Sequence, residues 1–165
     1  MGIISFLKNA GTKLFGGKTD AEKAAEAAAA EQAANDLADS QKEQELIAEV
    51  NNWSMKVDNL GITVDGDRAT IRGQAYDQAT REKTVLICGN VAGIQYVDDQ
   101  LTVTHSAPEA QYYQVQKGDT LSKIAKAYYN NSNKYNEIFE ANKPMLDHPD
   151  KIYPGQVLRI PALEA

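Results

Sequence analysis

The chain has 165 residues, room for one medium domain or two small ones. Its formal net charge of −6 argues against a nucleic-acid partner, because phosphate contacts need clustered Lys and Arg. The single cysteine, Cys88, excludes an intramolecular disulfide, so each domain must be held by its core, and this usage suits a reducing compartment.

The opening stretch, MGIISFLKNAGTKLFGGK, lacks the form of an export signal. Lys8 breaks its apolar run and no basic segment precedes it. It is too short for a membrane span, which needs about 20 apolar residues. The myristoylation pattern wants Ser or Thr where Phe6 stands. A cytoplasmic chain without a membrane span is the expectation. Within residues 1–18, Ile3, Phe6, Leu7, Ala10 and Leu14 recur at helical spacing, and Gly11 is a plausible stop. The apolar face is short and the chain acidic, which favours a docking segment over a lipid-surface helix.

Residues 19–44 are rich in Ala and Glu. Thr19 with Glu22 makes a capping box, and Ala, Glu, Lys and Gln are strong helix formers. Few large apolar side chains are present to bury. The segment reads as an exposed helical spacer, either ending on its own or running into the next helix.

Residues 45–106 change character. ELIAEVNNW puts Leu46, Ile47, Val50 and Trp53 on one helical stripe. GITVDGDRATIRGQA reads as a hairpin, with alternating apolar residues on both sides of Asp65-Gly66. DQATREKTVLICGNVAG reads as a second helix, capped by Asp77 and stopped at Gly89-Asn90 with Gly89 left-handed. IQYVDDQLTV is a last strand. The order is α-β-β-α-β. HSAPEA then links to residues 112–163. There a strand near Tyr113–Val115 precedes a helix capped by Asp119 or Thr120, with Leu121, Ile124 and Ala125 as its apolar stripe. A second helix spans about Asn133–Asn142, and a return strand follows the Pro154-Gly155 turn. That order is β-α-α-β. The fold class is α+β: two small domains and an N-terminal helical segment.

The last segment resembles the LysM domain family through YQVQKGDTLSKIA, FEAN and IYPGQVLRIP. The preceding one resembles the BON domain family through ITVDGDRATIRGQA, GNVAGI and VDDQLTV. The order BON then LysM, the opening MGIISFLKNAG and the CGNVAGI turn are similar to the bacterial potassium-binding proteins of the Kbp type. The Ala/Glu-rich stretch is longer than in that family. The resemblance implies a cytoplasmic protein, not an enzyme, that senses or buffers potassium. The alternative is an envelope protein that binds peptidoglycan N-acetylglucosamine through its LysM domain, and it would need an export signal.

No catalytic constellation stands out. His105 and His148 sit in or beside loops without a Cys or carboxylate cluster at metal-ligand spacing. No His accompanies Cys88, which reads as a buried, inert thiol. A calcium loop starting at Asp65 would need Glu at its twelfth position, where Tyr76 stands.

In the LysM family, a glycan lies between the loop after the first strand and the loop before the last. Here the resemblance places it among Gly118, Asp119, Thr120, Asn142, Lys143, Pro144, Ile152 and Tyr153. The competing reading is that these residues only hold the fold and the domain packs against its neighbour.

Potassium is large and weakly hydrated, so neutral carbonyl oxygens can replace its water shell. Helix C-termini supply free carbonyls and the negative end of the helix dipole. The sequence offers two such ends, before Gly11 and at Gly89-Asn90. The resemblance implies that they meet, with backbone carbonyls of Leu7, Ala10, Gly89, Val91 and Ile94 around the ion. Rubidium or caesium would be expected in its place more readily than sodium. The expected partner is the ion itself, bound to a monomer.

Overall fold

The computed structural model describes residues 19–163. Helix α1 (Asp20–Asn52) opens them and runs for 33 residues. Its start is the reciprocal box read from the sequence: the Glu22 N–H donates to Thr19 Oγ1 at 3.2 Å, and the Thr19 N–H to Glu22 Oε2 at 2.7 Å. The Ala-rich stretch and the ELIAEVNNW stripe are one continuous helix. The chain divides into two units between Asp36 and Leu37. The part of α1 in the first unit is exposed along its described length, and Gln32 donates to Asp36 one turn on.

The second unit holds the rest. In its first domain β1 (Val57–Asp65), β2 (Arg68–Asp77), α2 (Gln78–Gly89) and β3 (Tyr96–His105) follow the end of α1. The sheet order is β1-β2-β3. β1 and β2 pair antiparallel, with Ile62 opposite Ile71 and Asp65 opposite Arg68, so Gly66-Asp67 are the two turn residues. Gly66 alone takes a positive φ, +61°, the pattern of a type II′ turn. β3 pairs parallel to β2, and a parallel neighbour requires a crossover, which α2 supplies.

Alternation along β1 and β2 sends Ile62, Val64, Ala69 and Ile71 inward, against Leu46 and Val50 of α1 and Ile87 and Cys88 of α2. Each of the Ile, Leu and Val side chains contributes about 1.5–3 kcal/mol when fully buried. Carboxylates of α1 also hold the first hairpin: the Val64 N–H donates to Glu43 Oε1 at 2.9 Å and the Gly66 N–H to Asp39 Oδ1 at 3.2 Å. Asp77 caps α2, accepting from the Thr80 N–H at 2.7 Å. Partial burial raises the Asp77 pKa, but the Thr80 bonds outweigh it and the net displacement is downward.

The second domain comprises β4 (Gln111–Gln114), α3 (Leu121–Tyr129), a 3₁₀ turn (Ser132–Lys134), α4 (Tyr135–Ala141) and β5 (Val157–Ile160). β4 and β5 form a two-stranded antiparallel ribbon, marginal by itself. It closes over Leu121, Ile124, Ile138 and Leu146, which share one core with Val115, Leu158 and Ile160.

A buried carboxylate joins the two domains. Glu82, on α2, is 3% exposed. Its Oε1 accepts from Gln78 Nε2 and from the Ala110 N–H, each at 2.8 Å, and its Oε2 pairs with Arg159 Nε of β5. Removing one partner of such a pair leaves the other charge buried without compensation. Glu82→Ala is expected to lower unfolding stability by about 3–5 kcal/mol, measured by urea denaturation. A loss below about 1 kcal/mol would show that water replaces the carboxylate.

Candidate cation site

The C-terminus of α2 and the turn after it lie at the edge of the first core. Cys88 is fully buried, and burial pushes its thiol pKa up to about 12, so it remains a neutral thiol beside the turn. Gly89 is the last helical residue. Asn90 caps the helix at φ −90°, its N–H donating to Leu86 O and Cys88 O. The Val91 N–H donates to Cys88 O at 3.3 Å, and the Ile94 N–H to Val91 O at 3.2 Å. The turn is therefore pinned by its own amides.

Carbonyl oxygens are what it presents. Among the described residues, no hydrogen bond reaches the carbonyls of Gly89 or Ile94. Val91 O takes one N–H and keeps a lone pair. The last turn of α2 carries no basic residue, so nothing on that helix offsets its negative end. A cation arrives from α1 instead: Lys42 Nζ donates to Ala92 O at 3.1 Å and pairs with Glu45 Oε2 at 2.7 Å. Among the described residues no three His, Cys, Asp or Glu side chains come together. The oxygens that the turn itself presents are neutral main-chain carbonyls.

The structure brings Gly89, Val91 and Ile94 into one turn. Leu7 and Ala10 lie outside the described residues. Gly89 departs from expectation, since it keeps helical geometry, and the left-handed residue is Gly93, at φ +93°. The turn tightens four residues later than a glycine-stop rule places it, because the amide of Asn90 still bonds back into the helix.

Asn90 also has a role that the sequence does not signal. Its side-chain amide donates to Val157 O at 3.1 Å and accepts from the Val157 N–H at 2.9 Å. The turn after α2 and strand β5 are thereby fixed to each other. Beside this contact a groove of about 360 Å³ opens, lined by Trp53, Val91, Met145 and Tyr153 among others.

The glycan residues meet different fates. Val115 exchanges backbone bonds with Gly155 and Gln156, which sets the two loops side by side. Yet Asn142 is 2% exposed and its side chain is engaged: Nδ2 donates to Ile138 O and Arg159 O, and Oδ1 accepts from the Arg159 N–H. It rivets α4 to β5, and its amide is not available to a sugar. Thr120 caps α3, and Gly118 O accepts from Lys123 Nζ. Asp119 accepts from the Tyr113 hydroxyl and the Gln116 N–H, which hold its carboxyl below the usual carboxylate range. Lys143 pairs with Glu140 and lies over the Phe139 ring. Ile152 packs on the second core. Pro144 follows Lys143 in the connecting loop, and Tyr153, 52% exposed, faces the groove.

Residues 38–105 match the BON domain model and residues 113–161 the LysM domain model. Over 161 residues the chain is 42% identical to the potassium binding protein Kbp of Escherichia coli O6:H1, covering 98% of this chain and 99% of that protein. The chain belongs to the Kbp family. A further relative, an uncharacterised protein of Deinococcus radiodurans, is 30% identical over 67% of this chain and 47% of its own length. Within this Kbp-family chain the BON match begins inside α1, so the second half of that helix belongs to the domain that carries the turn.

The two turn glycines should respond oppositely to alanine. At Gly89 an added Cβ meets only Val97 Cγ2, at 3.5 Å, in helical backbone that alanine favours. At Gly93 the positive φ costs any L side chain about 1–2 kcal/mol. Urea denaturation should find Gly89→Ala neutral or slightly stabilising and Gly93→Ala destabilising by about that amount. The reverse order would mean that the left-handed residue is misplaced.

Proposed function

We propose that this chain is a cytoplasmic potassium-binding protein without enzymatic activity, which senses or buffers the ion. The proposed ligands are the backbone carbonyls of Gly89, Val91 and Ile94 together with those of Leu7 and Ala10. The observation that carries the reading is the carbonyl-presenting end of α2, with no side-chain carboxylate cage among the described residues. Near full-length identity to a protein named for potassium binding supports it. The LysM domain, in this reading, is a packing partner. Its contacts through Glu82 and Asn90 and the engagement of Asn142 support that role.

An ion that binds only the folded chain stabilises it by mass action, about 2.7 kcal/mol at 100 times its Kd. Thermal melting should therefore shift upward in potassium chloride relative to sodium chloride at equal ionic strength. Rubidium and caesium should act like potassium, and removal of residues 2–11 should weaken the effect. Equal melting in sodium and potassium would refute the reading. Titration with chitin oligosaccharides is expected to give no saturable heat, and micromolar binding would return the LysM domain to a glycan role.

A further inference from the structure

Lys42 is the one described side chain whose ammonium hydrogen-bonds to a carbonyl of the 89–94 turn. An ammonium is a large monovalent cation, and its donors satisfy the same kind of oxygen that potassium needs. Lys42 reaches Ala92 O at 3.1 Å from α1, across 50 residues of sequence. Its stem runs over Gly93, where an added Cβ would come within 4.0 Å of Lys42 Cε. Glu45, one turn along α1, holds the same ammonium at 2.7 Å. The Lys42 side chain is about a quarter exposed, so its charge is only partly screened.

We infer that Lys42 is a tethered cation that competes with the free ion for the carbonyl turn and thereby weakens the site. The inference rests on the proposed potassium reading of that turn. Two effects act in one direction. The ammonium occupies Ala92 O, the neighbour of the proposed ligand Val91 O, and its positive charge opposes the entry of a second cation into the turn. Glu45 moderates the second effect and gives the ammonium a place to stay when the ion arrives. The device sets how much potassium is needed before the site fills, and a higher threshold suits a protein that responds to an abundant ion.

The test is potassium binding by calorimetry and by melting shift, on the full chain and on Lys42→Met, which keeps the stem and removes the charge. The Lys42→Met chain should bind potassium about three- to tenfold more tightly, the range left once Coulomb repulsion is discounted for exposure and for Glu45. Lys117→Met, an exposed charge deletion in the second domain, controls for net charge and should leave the Kd unchanged. Melting of Lys42→Met in sodium chloride checks that the fold is retained. An unchanged or weaker Kd in a folded Lys42→Met chain overturns the inference while leaving the potassium reading intact. Equal tightening by Lys117→Met overturns it too. Binding by Lys42→Met where the parent shows none would support it, and absence of binding in both would overturn it together with the potassium reading.

Discussion

The carboxylate of Glu82 is the constraint around which the second unit is arranged. A charge removed from water is tolerated only where hydrogen bonds and an opposite charge replace its hydration. Glu82 meets that condition by taking donors from three places: its own helix at Gln78, the interdomain linker at Ala110 and strand β5 at Arg159. None of these donors can be displaced without leaving a buried charge short of partners. The linker and β5 are therefore held to one face of α2. A pair of this kind adds little net stability compared with apolar packing of the same volume.

Helix α2 consequently does three jobs along its length. Its N-terminus is capped by Asp77, its middle holds the second domain through Glu82, and its last turn enters the first core through Ile87 and Cys88. Past that turn Asn90 makes a two-point contact with Val157. The carbonyls beyond the helix are thus fixed from both sides, by burial of Cys88 beneath and by β5 alongside. Such fixing matters for a main-chain ion site, because carbonyl dipoles must point inward before the ion arrives or binding carries the cost of turning them.

What could be read from the sequence was local chemistry. Thr19 with Glu22, Asp77 before α2, Thr120 before α3 and the alternation through Ile62, Val64, Ala69 and Ile71 each depend on residues a few positions apart, and each formed as expected. The element orders of both domains followed from them. Gly89 shows where local rules fail. A glycine near a helix end suggests a left-handed stop, but the amide of Asn90 bonded back to Leu86 and carried the helical geometry past it, leaving the positive φ to Gly93. The contacts of Glu82, Asn90 and Asn142 were not legible for a different reason. Each has a partner between 17 and 77 residues away, and nothing in the residue type says which distant group a buried polar side chain will reach.

The candidate site lies at the far end of that scale. Every residue contributes a carbonyl, so residue identity carries no information about a carbonyl site. What carries it is backbone direction: where a helix stops, which amides are used internally and which oxygens are left. Val91, Ala92 and Ile94 are ordinary apolar or small residues, and their side chains say only that the turn borders a core. Lys42 is the exception, a side chain that reports on the backbone by seeking out one of its oxygens. Its ammonium, about a quarter exposed, keeps access to water and lies against that oxygen. With Glu45 alongside, a monovalent cation already tethered to the fold thus meets a carbonyl oxygen just past the end of α2.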